Sequence, residues 1–305
     1  SVGSIAIGYE ALNVEDDGDY STAVGYQALK AQTGTSGEVA NTAVGYQSGL
    51  AITKGRYTTT IGFQSLITED VGDRTTAIGY QSLYSQNSDS DNEITGNTAV
   101  GFSSGYQNVT GQNNTYLGYR SGLGASGNSN SNNTAVGKDA MLAVTTGTEN
   151  VVIGTLAGDS ITTSTSNVVV GYNAFSAANG GQNNNVVIGS GAASAMDTSA
   201  CDDNVIIGKS AGVGGAATVT KCIVIGSSAM TTSPGGGNTN TGTIAIGHQA
   251  LTALTSGSGN TAIGYQSGLA LTAGINNTIL GYGALDAATT QADDNVAIGL
   301  NAMGG

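Results

Sequence analysis

One glycine-centred phrase recurs along the entire chain, and it restricts the possible folds more than any other feature. Residues 41–50 read NTAVGYQSGL and residues 260–269 read NTAIGYQSGL. With its glycine as an anchor, the phrase recurs at Gly8, Gly25, Gly45, Gly62, Gly79, Gly101, Gly118, Gly137, Gly154, Gly171, Gly189, Gly208, Gly226, Gly247, Gly264, Gly281 and Gly299. These seventeen copies lie 17 to 22 residues apart, most often 17. Recurrence at a fixed short period is the signature of a unit that buries its apolar face only by stacking on copies of itself.

Each position around the anchor has its own chemistry. The residue before it is always Ile, Val or Leu, and the third before it is always Thr, Val or Ile. The third after it is always Ala or Ser, and the fourth before it is Asn in eleven copies. Ten copies place Tyr or Phe directly after the anchor, and six of the seventeen copies place Gln at the next position. Short β-branched runs ending in Gly predict strands rather than helices. Gly costs roughly 1 kcal/mol in a helix interior, and this chain has 49 of them.

The spacing is too short for a pair of helices per repeat and too regular for a sandwich. The pattern therefore predicts an all-β fold, a parallel β-solenoid of about 17 coils of 17–22 residues. It forms one continuous domain over residues 1–305 with no linker. Sixteen steps at the ~4.8 Å strand spacing would give a rod of roughly 80 Å. Length varies only between the apolar residue after one anchor and the Asn of the next copy. The longest inserts, at 30–40, 84–96 and 231–242, are expected to be turns on one side of the coil. The anchor Gly is expected at a sharp bend, with positive φ or a close backbone approach. The Asn column is expected to form an amide ladder.

Strand polarity changes along the chain. Early copies read Thr-Ala-Val, whereas the middle reads Val151-Val152-Ile153, Val168-Val169-Val170, Val186-Val187-Ile188, Val205-Ile206-Ile207 and Ile223-Val224-Ile225. A strand apolar on both faces needs a cover on both. One face can be the coil interior. Self-association is the expected cover of the other. Neither end shows a polar cap, so end-to-end stacking into filaments is a further expectation.

Composition excludes several function classes. With 21 acids against 8 bases, the net charge is −13. A nucleic-acid partner is not expected, because such partners need a basic footprint. No apolar run approaches the ~20 residues of a membrane helix, so membrane insertion is not expected either.

The phrases SIAIGYEAL, STAVGYQAL and NTAIGYQSG resemble the head repeats of trimeric autotransporter (YadA-like) adhesins. Similar N-T-A-V-G-Y-Q-A-L arrays are found in phage tail fibres and in secreted bacterial fibres. The resemblance implies a left-handed parallel β-roll assembled as a homotrimer, in an extracellular setting: a cell-surface fibre, a secreted filament or a virion tail fibre. Adhesin head repeats are typically shorter than these, so the turns must differ. The expected function is structural: a self-associating extracellular rod or filament, with a receptor- or glycan-binding adhesin or tail fibre as the alternative. No enzymatic activity, cofactor, metal site or catalytic residue is expected.

Several residues nonetheless invite sharper roles. The aromatic column could stack on surface glycans, although packing along the stack accounts for it equally. The Gln residues after it fit a polar ladder. The Thr column (Thr22, Thr42, Thr59, Thr76, Thr98, Thr115 and Thr134) is similar to the arrays of ice-binding solenoids, but its pairing with Val or Ile favours buried stacking. Carboxylates cluster at Glu15-Asp16-Asp17-Asp19, at Glu69, Asp70 and Asp73, and at Asp89, Asp91 and Glu93. Solvated turns are the expectation there, with calcium as the alternative. Cys201 and Cys222 fall in successive coils, so a disulfide is open. His248 lacks a partnered nucleophile. Four Asn-x-Ser/Thr sequons begin at Asn108, Asn113, Asn132 and Asn276.

Overall fold

A computed structural model describes residues 2–34, 37–127, 129–214, 218–231, 239–287 and 292–304. It is all-β among the described residues, and its contacts divide into two units, Ser1–Glu149 and Asn150–Gly305. Each unit is a parallel β-solenoid. In the N-terminal unit eight three-residue strands, from Ile5–Ile7 to Thr134–Val136, pair in sequence order. In the C-terminal unit nine do the same, from Val151–Ile153 to Val296–Ile298.

The pairing register places like positions opposite each other whatever the intervening length. Thr76 pairs with Thr98 across a 22-residue repeat, just as Thr59 pairs with Thr76 across 17. Inserts therefore bulge out of the coil without shifting its register. Two short ladders form in such loops, Gly18–Asp19 with Gly37–Glu38 and Thr218–Thr220 with Thr239–Thr241. Residues 35–36 of the first long insert and 232–238 of the third lie outside the described residues.

The anchor glycine satisfies both of its sequence-based expectations. Its φ falls between 125° and 145° in all seventeen copies. A methyl added to Gly62 would lie 2.2 Å from the carbonyl oxygen of Gly79, and one on Gly25 would lie 2.3 Å from that of Gly45. Backbone thus packs directly on backbone from rung to rung, and no L side chain fits there.

Three further positions per rung take the left-handed conformation, and the sequence pattern did not announce them. They are the residue five before the anchor and those two and four after it, for example Ala40, Gln47 and Gly49, or Asn276, Gly283 and Leu285. A non-glycine residue in this region costs roughly 1–2 kcal/mol. The conformation turns two successive side chains inward, as with Ala28 and Leu29, both fully buried. Burying a Leu returns about 1.5–3 kcal/mol, and the backbone keeps its bonds: Gln27 N donates to Tyr9 O at 2.8 Å and Leu29 N to Ser48 O at 3.1 Å. At the Leu position the burial gain is at least comparable to the backbone cost.

The interior is a narrow stack. The middle strand residue points in, as Ala23, Val152, Val169 and Ile206 do, and the Ala or Ser three after the anchor joins it. Where the fourth position is Gly, neighbouring side chains take the room: the strand residues Tyr116 and Ile206 at Gly122 and Gly212, and Ile52, Ile161 and Leu251 at Gly49, Gly158 and Gly268. Tyr116, fully buried, sits between Gly105 and Gly122, where added methyls would lie 2.7 and 2.2 Å from its ring. Leu50, Leu123 and Leu269, which follow such glycines, are only half-buried.

The Asn column forms the expected ladder, and it is internal. Asn167 Nδ2 donates to Asn150 Oδ1 at 3.0 Å, Asn185 Nδ2 to Asn167 Oδ1 at 3.1 Å, and Asn204 Nδ2 to Asn185 Oδ1 at 2.9 Å. Each Oδ1 also accepts the next rung's backbone N–H, as from Asn185 N at 3.0 Å, and each Nδ2 reaches a loop carbonyl, as at Cys201 O, 2.9 Å. Burying an amide without partners would cost several kcal/mol. Here consecutive Asn rungs satisfy one another.

The close approach of anchor backbones is directly testable. Gly62→Ala should destabilise the N-terminal unit by more than the ~1–3 kcal/mol of backbone strain alone. Gly37→Ala, also at positive φ but facing open space, should show only the strain. Urea unfolding of both variants checks this, and equal losses would show that rung contact is not what fixes the glycine.

Candidate interaction surface

The strand residues flanking the interior position point outward, and they are apolar. Val151, Val168, Ile188 and Ile223 each remain 37% exposed, and Ile153 39%. Over Val151–Ile225 the outward strand positions of five consecutive rungs carry only Val or Ile. In the N-terminal unit the same face carries Ile5 and Ile7 in the first rung and alternates Thr with Val, Ile or Leu in the other seven. The Thr column is outward and half-exposed or exposed, rather than buried as expected from its β-branching.

The aromatic column forms a continuous exposed ladder. Tyr9, Tyr26, Tyr46, Phe63, Tyr80, Phe102 and Tyr119 stack with centroids 4.8–5.3 Å apart and planes within 19°. Each inner ring lies between the faces of its neighbours, so the column presents edges and hydroxyls to solvent. Sugar stacking on ring faces is therefore blocked along its length. In the C-terminal unit His248 belongs to the same column, tilted against Tyr265 at 5.3 Å, which in turn stacks on Tyr282 at 4.9 Å.

The Gln residues form the polar ladder that their spacing predicts. Gln27 Nε2 donates to Glu10 Oε2 at 2.8 Å, Gln47 Nε2 to Gln27 Oε1 at 2.9 Å, and Gln64 and Gln81 continue it at 3.0 Å each. The amides all point the same way, and the carboxylate of Glu10 receives the donor end. Lys30, 2.6 Å away, and Gln27 hold the Glu10 carboxyl below its ordinary value. Beside Gln27 lies a shallow groove of about 490 Å³ lined by Val14, Gln27, Lys30, Ala31, Leu50 and Ala51.

The acidic clusters serve the turns. Glu69 is buried and accepts from Val71 N at 3.2 Å, Gly72 N at 2.8 Å, Ser88 N at 3.2 Å and Ser88 Oγ at 3.0 Å. It thereby fastens the 84–96 insert to the preceding rung. Burial pushes its carboxyl up, against the opposing pull of the Gly72 and Ser88 donors. Asp73 accepts from Arg56 Nη2 at 3.0 Å and Arg56 N at 2.8 Å, and Asp91 meets Lys54 at 2.6 Å. Among the described residues no three His, Cys, Asp or Glu side chains converge as a metal site.

Cys201 and Cys222 are both buried and unbridged. Cys222 occupies an Asn-column position and copies its bonding. Its N–H donates to Asn204 Oδ1 at 3.0 Å and its thiol to Asn240 O at 3.2 Å. Burial raises its pKa. The sequon residues Asn113, Asn132 and Asn276 occupy the left-handed position before the Asn column, and Asn108 is buried in the interior. The repeat's N-N-T wording thus follows from backbone geometry.

No helix among the described residues is long and apolar enough to cross a membrane. No family model matches the chain, and neither a curated protein nor a solved structure matches it.

The upward shift at Glu69 gives a pH test with a definite sign. A carboxyl that binds its proton more tightly when folded favours the fold below its ordinary value, and that contribution is lost as pH rises through the folded value. The stability of Glu69→Gln relative to wild type should therefore improve between about pH 4 and pH 7. Urea unfolding across that range measures it, and a flat difference would contradict the assignment.

Proposed function

We propose that this chain is a non-catalytic structural protein whose β-solenoid associates with copies of itself along the outward strand face. The preferred assembly is a parallel homotrimer within an extracellular fibre or filament. Stacked rungs supply reach and resistance to proteolysis, because short strands and satisfied ladders leave few open backbone segments. The trimer number and the extracellular setting rest on the resemblance of the repeats to adhesin heads and tail fibres.

The observation that carries the reading is the exposed aliphatic strip over Val151–Ile225. Burying the remaining third or so of each Val or Ile side chain would contribute roughly 0.6–1 kcal/mol. Ten such positions give a gross gain on the order of 6–10 kcal/mol. Association costs an estimated 4–15 kcal/mol, so the strip supports assembly only together with the flanking rungs. That favours extended, in-register contact over a point contact.

Sedimentation analysis should find the protein as a trimer. Ile153→Lys combined with Ile188→Lys should dissociate it while the circular dichroism stays β-rich. A monomeric wild type at micromolar concentration would overturn the proposal.

A further inference from the structure

We infer that Asn179 is a site of spontaneous covalent modification, where the side-chain amide becomes a carboxylate through a cyclic imide formed with the backbone of Gly180. The site lies in a loop between two rungs, and the inference does not depend on the fibre proposal.

The reaction needs a backbone nitrogen that can reach the side-chain carbonyl of the residue before it. The nitrogen of Gly180 attacks Asn179 Cγ, the new C–N bond closes a five-membered imide, and the Cγ–Nδ2 bond breaks. The leaving nitrogen departs as ammonia and carries the proton given up by Gly180. Water then opens the ring at either carbonyl carbon, which leaves aspartate or its backbone-shifted isomer, isoaspartate. The sum is one amide and one water converted to one acid and one ammonia, with no oxidant or reductant.

Asn179 alone in the chain meets the local requirement. No other Asn is followed by Gly, and only Gly lacks a Cβ to obstruct the closing ring. Asn179 is exposed and lies outside the strands. The Asn-column amides, by contrast, are buried and held at 2.9–3.1 Å. The hydroxyl of Thr162 donates to Asn179 O at 2.6 Å. That bond draws electron density from the peptide that carries the Gly180 N–H and makes this N–H easier to ionise. Opposing it, the Gly180 N–H donates to Gln182 Oε1 at 3.0 Å, a bond it must leave before it attacks. Asn87 is exposed as well, but the nitrogen it would need belongs to buried Ser88 and donates to the Glu69 carboxylate at 3.2 Å.

The product adds one negative charge to a chain already at −13. Isoaspartate also lengthens the loop by one main-chain atom. Repeat lengths already vary from 17 to 22 residues without a shift of register, so the solenoid should survive the change.

The test incubates the intact chain at mildly alkaline pH and follows each Asn by peptide mapping with mass spectrometry. Methyl transfer by an isoaspartyl methyltransferase reports the isomer. Asn179 should convert at least about tenfold faster than Asn87. Gln182→Val removes the restraining acceptor, and the same column already holds buried Val219; it should speed conversion about threefold. Thr162→Val should slow it by about the same factor. Asn179→Gln, whose longer side chain closes a less favourable ring, should abolish it. Circular dichroism confirms that each variant is folded. Should Gln182→Val fail to fold, Thr162→Val and Asn179→Gln decide, since neither removes a fully buried side chain. An unmodified Asn179, faster conversion at another Asn, or unchanged rates in the folded Gln182 and Thr162 variants would each overturn the inference.

Discussion

Direct contact between anchor-glycine backbones is the constraint on which everything else depends. The carbonyl of one anchor sits where a methyl group of the preceding anchor would be, 2.1–2.6 Å from that position within each unit. With the rungs held this close, each side-chain column becomes a ladder. Asn amides come within bonding reach at 2.9–3.1 Å in the C-terminal unit, and aromatic rings within stacking distance. A side chain at the anchor would separate neighbouring rungs and break all the columns at once.

The interior and the surface respond differently to that constraint. Inside, much of the polarity is satisfied because it repeats. An Asn amide that would be costly alone is satisfied by the rung on either side, and Cys222 is accepted because its thiol and backbone reproduce the same bonds. Outside, repetition creates continuous stripes: aliphatic over Val151–Ile225, aromatic from Tyr9 to Tyr119, and amide from Glu10 to Gln81. A stripe is a surface that a long partner, such as another copy of the chain, can follow.

The strand, the bend at Gly and the inward Ala or Ser were all legible in the sequence, because each shows as an invariant residue type at a fixed offset. The Asn and Gln ladders were legible for the same reason. The left-handed positions were not. Ten of seventeen residues five before the anchor are Asn, Asp or Gly, a usable clue that the sequon reading obscured. Leu29 and Gln27 give no such clue, because their conformation is imposed by tertiary stacking against their own backbone preference. The outward position of the Thr column was also missed. β-Branching says that a residue suits a strand but not which face it occupies. The groove beside Gln27 arises from residues of three successive rungs, so no single repeat contains it.

The register also bears on how such a chain changes over generations. Thr76 meets Thr98 as well as Thr59 meets Thr76, although the loops between them differ in length. A copying error that adds or drops one whole period leaves every remaining column intact and merely lengthens or shortens the stack. Slippage during replication, ruinous to most folded domains, here becomes a way to adjust molecular length one step at a time.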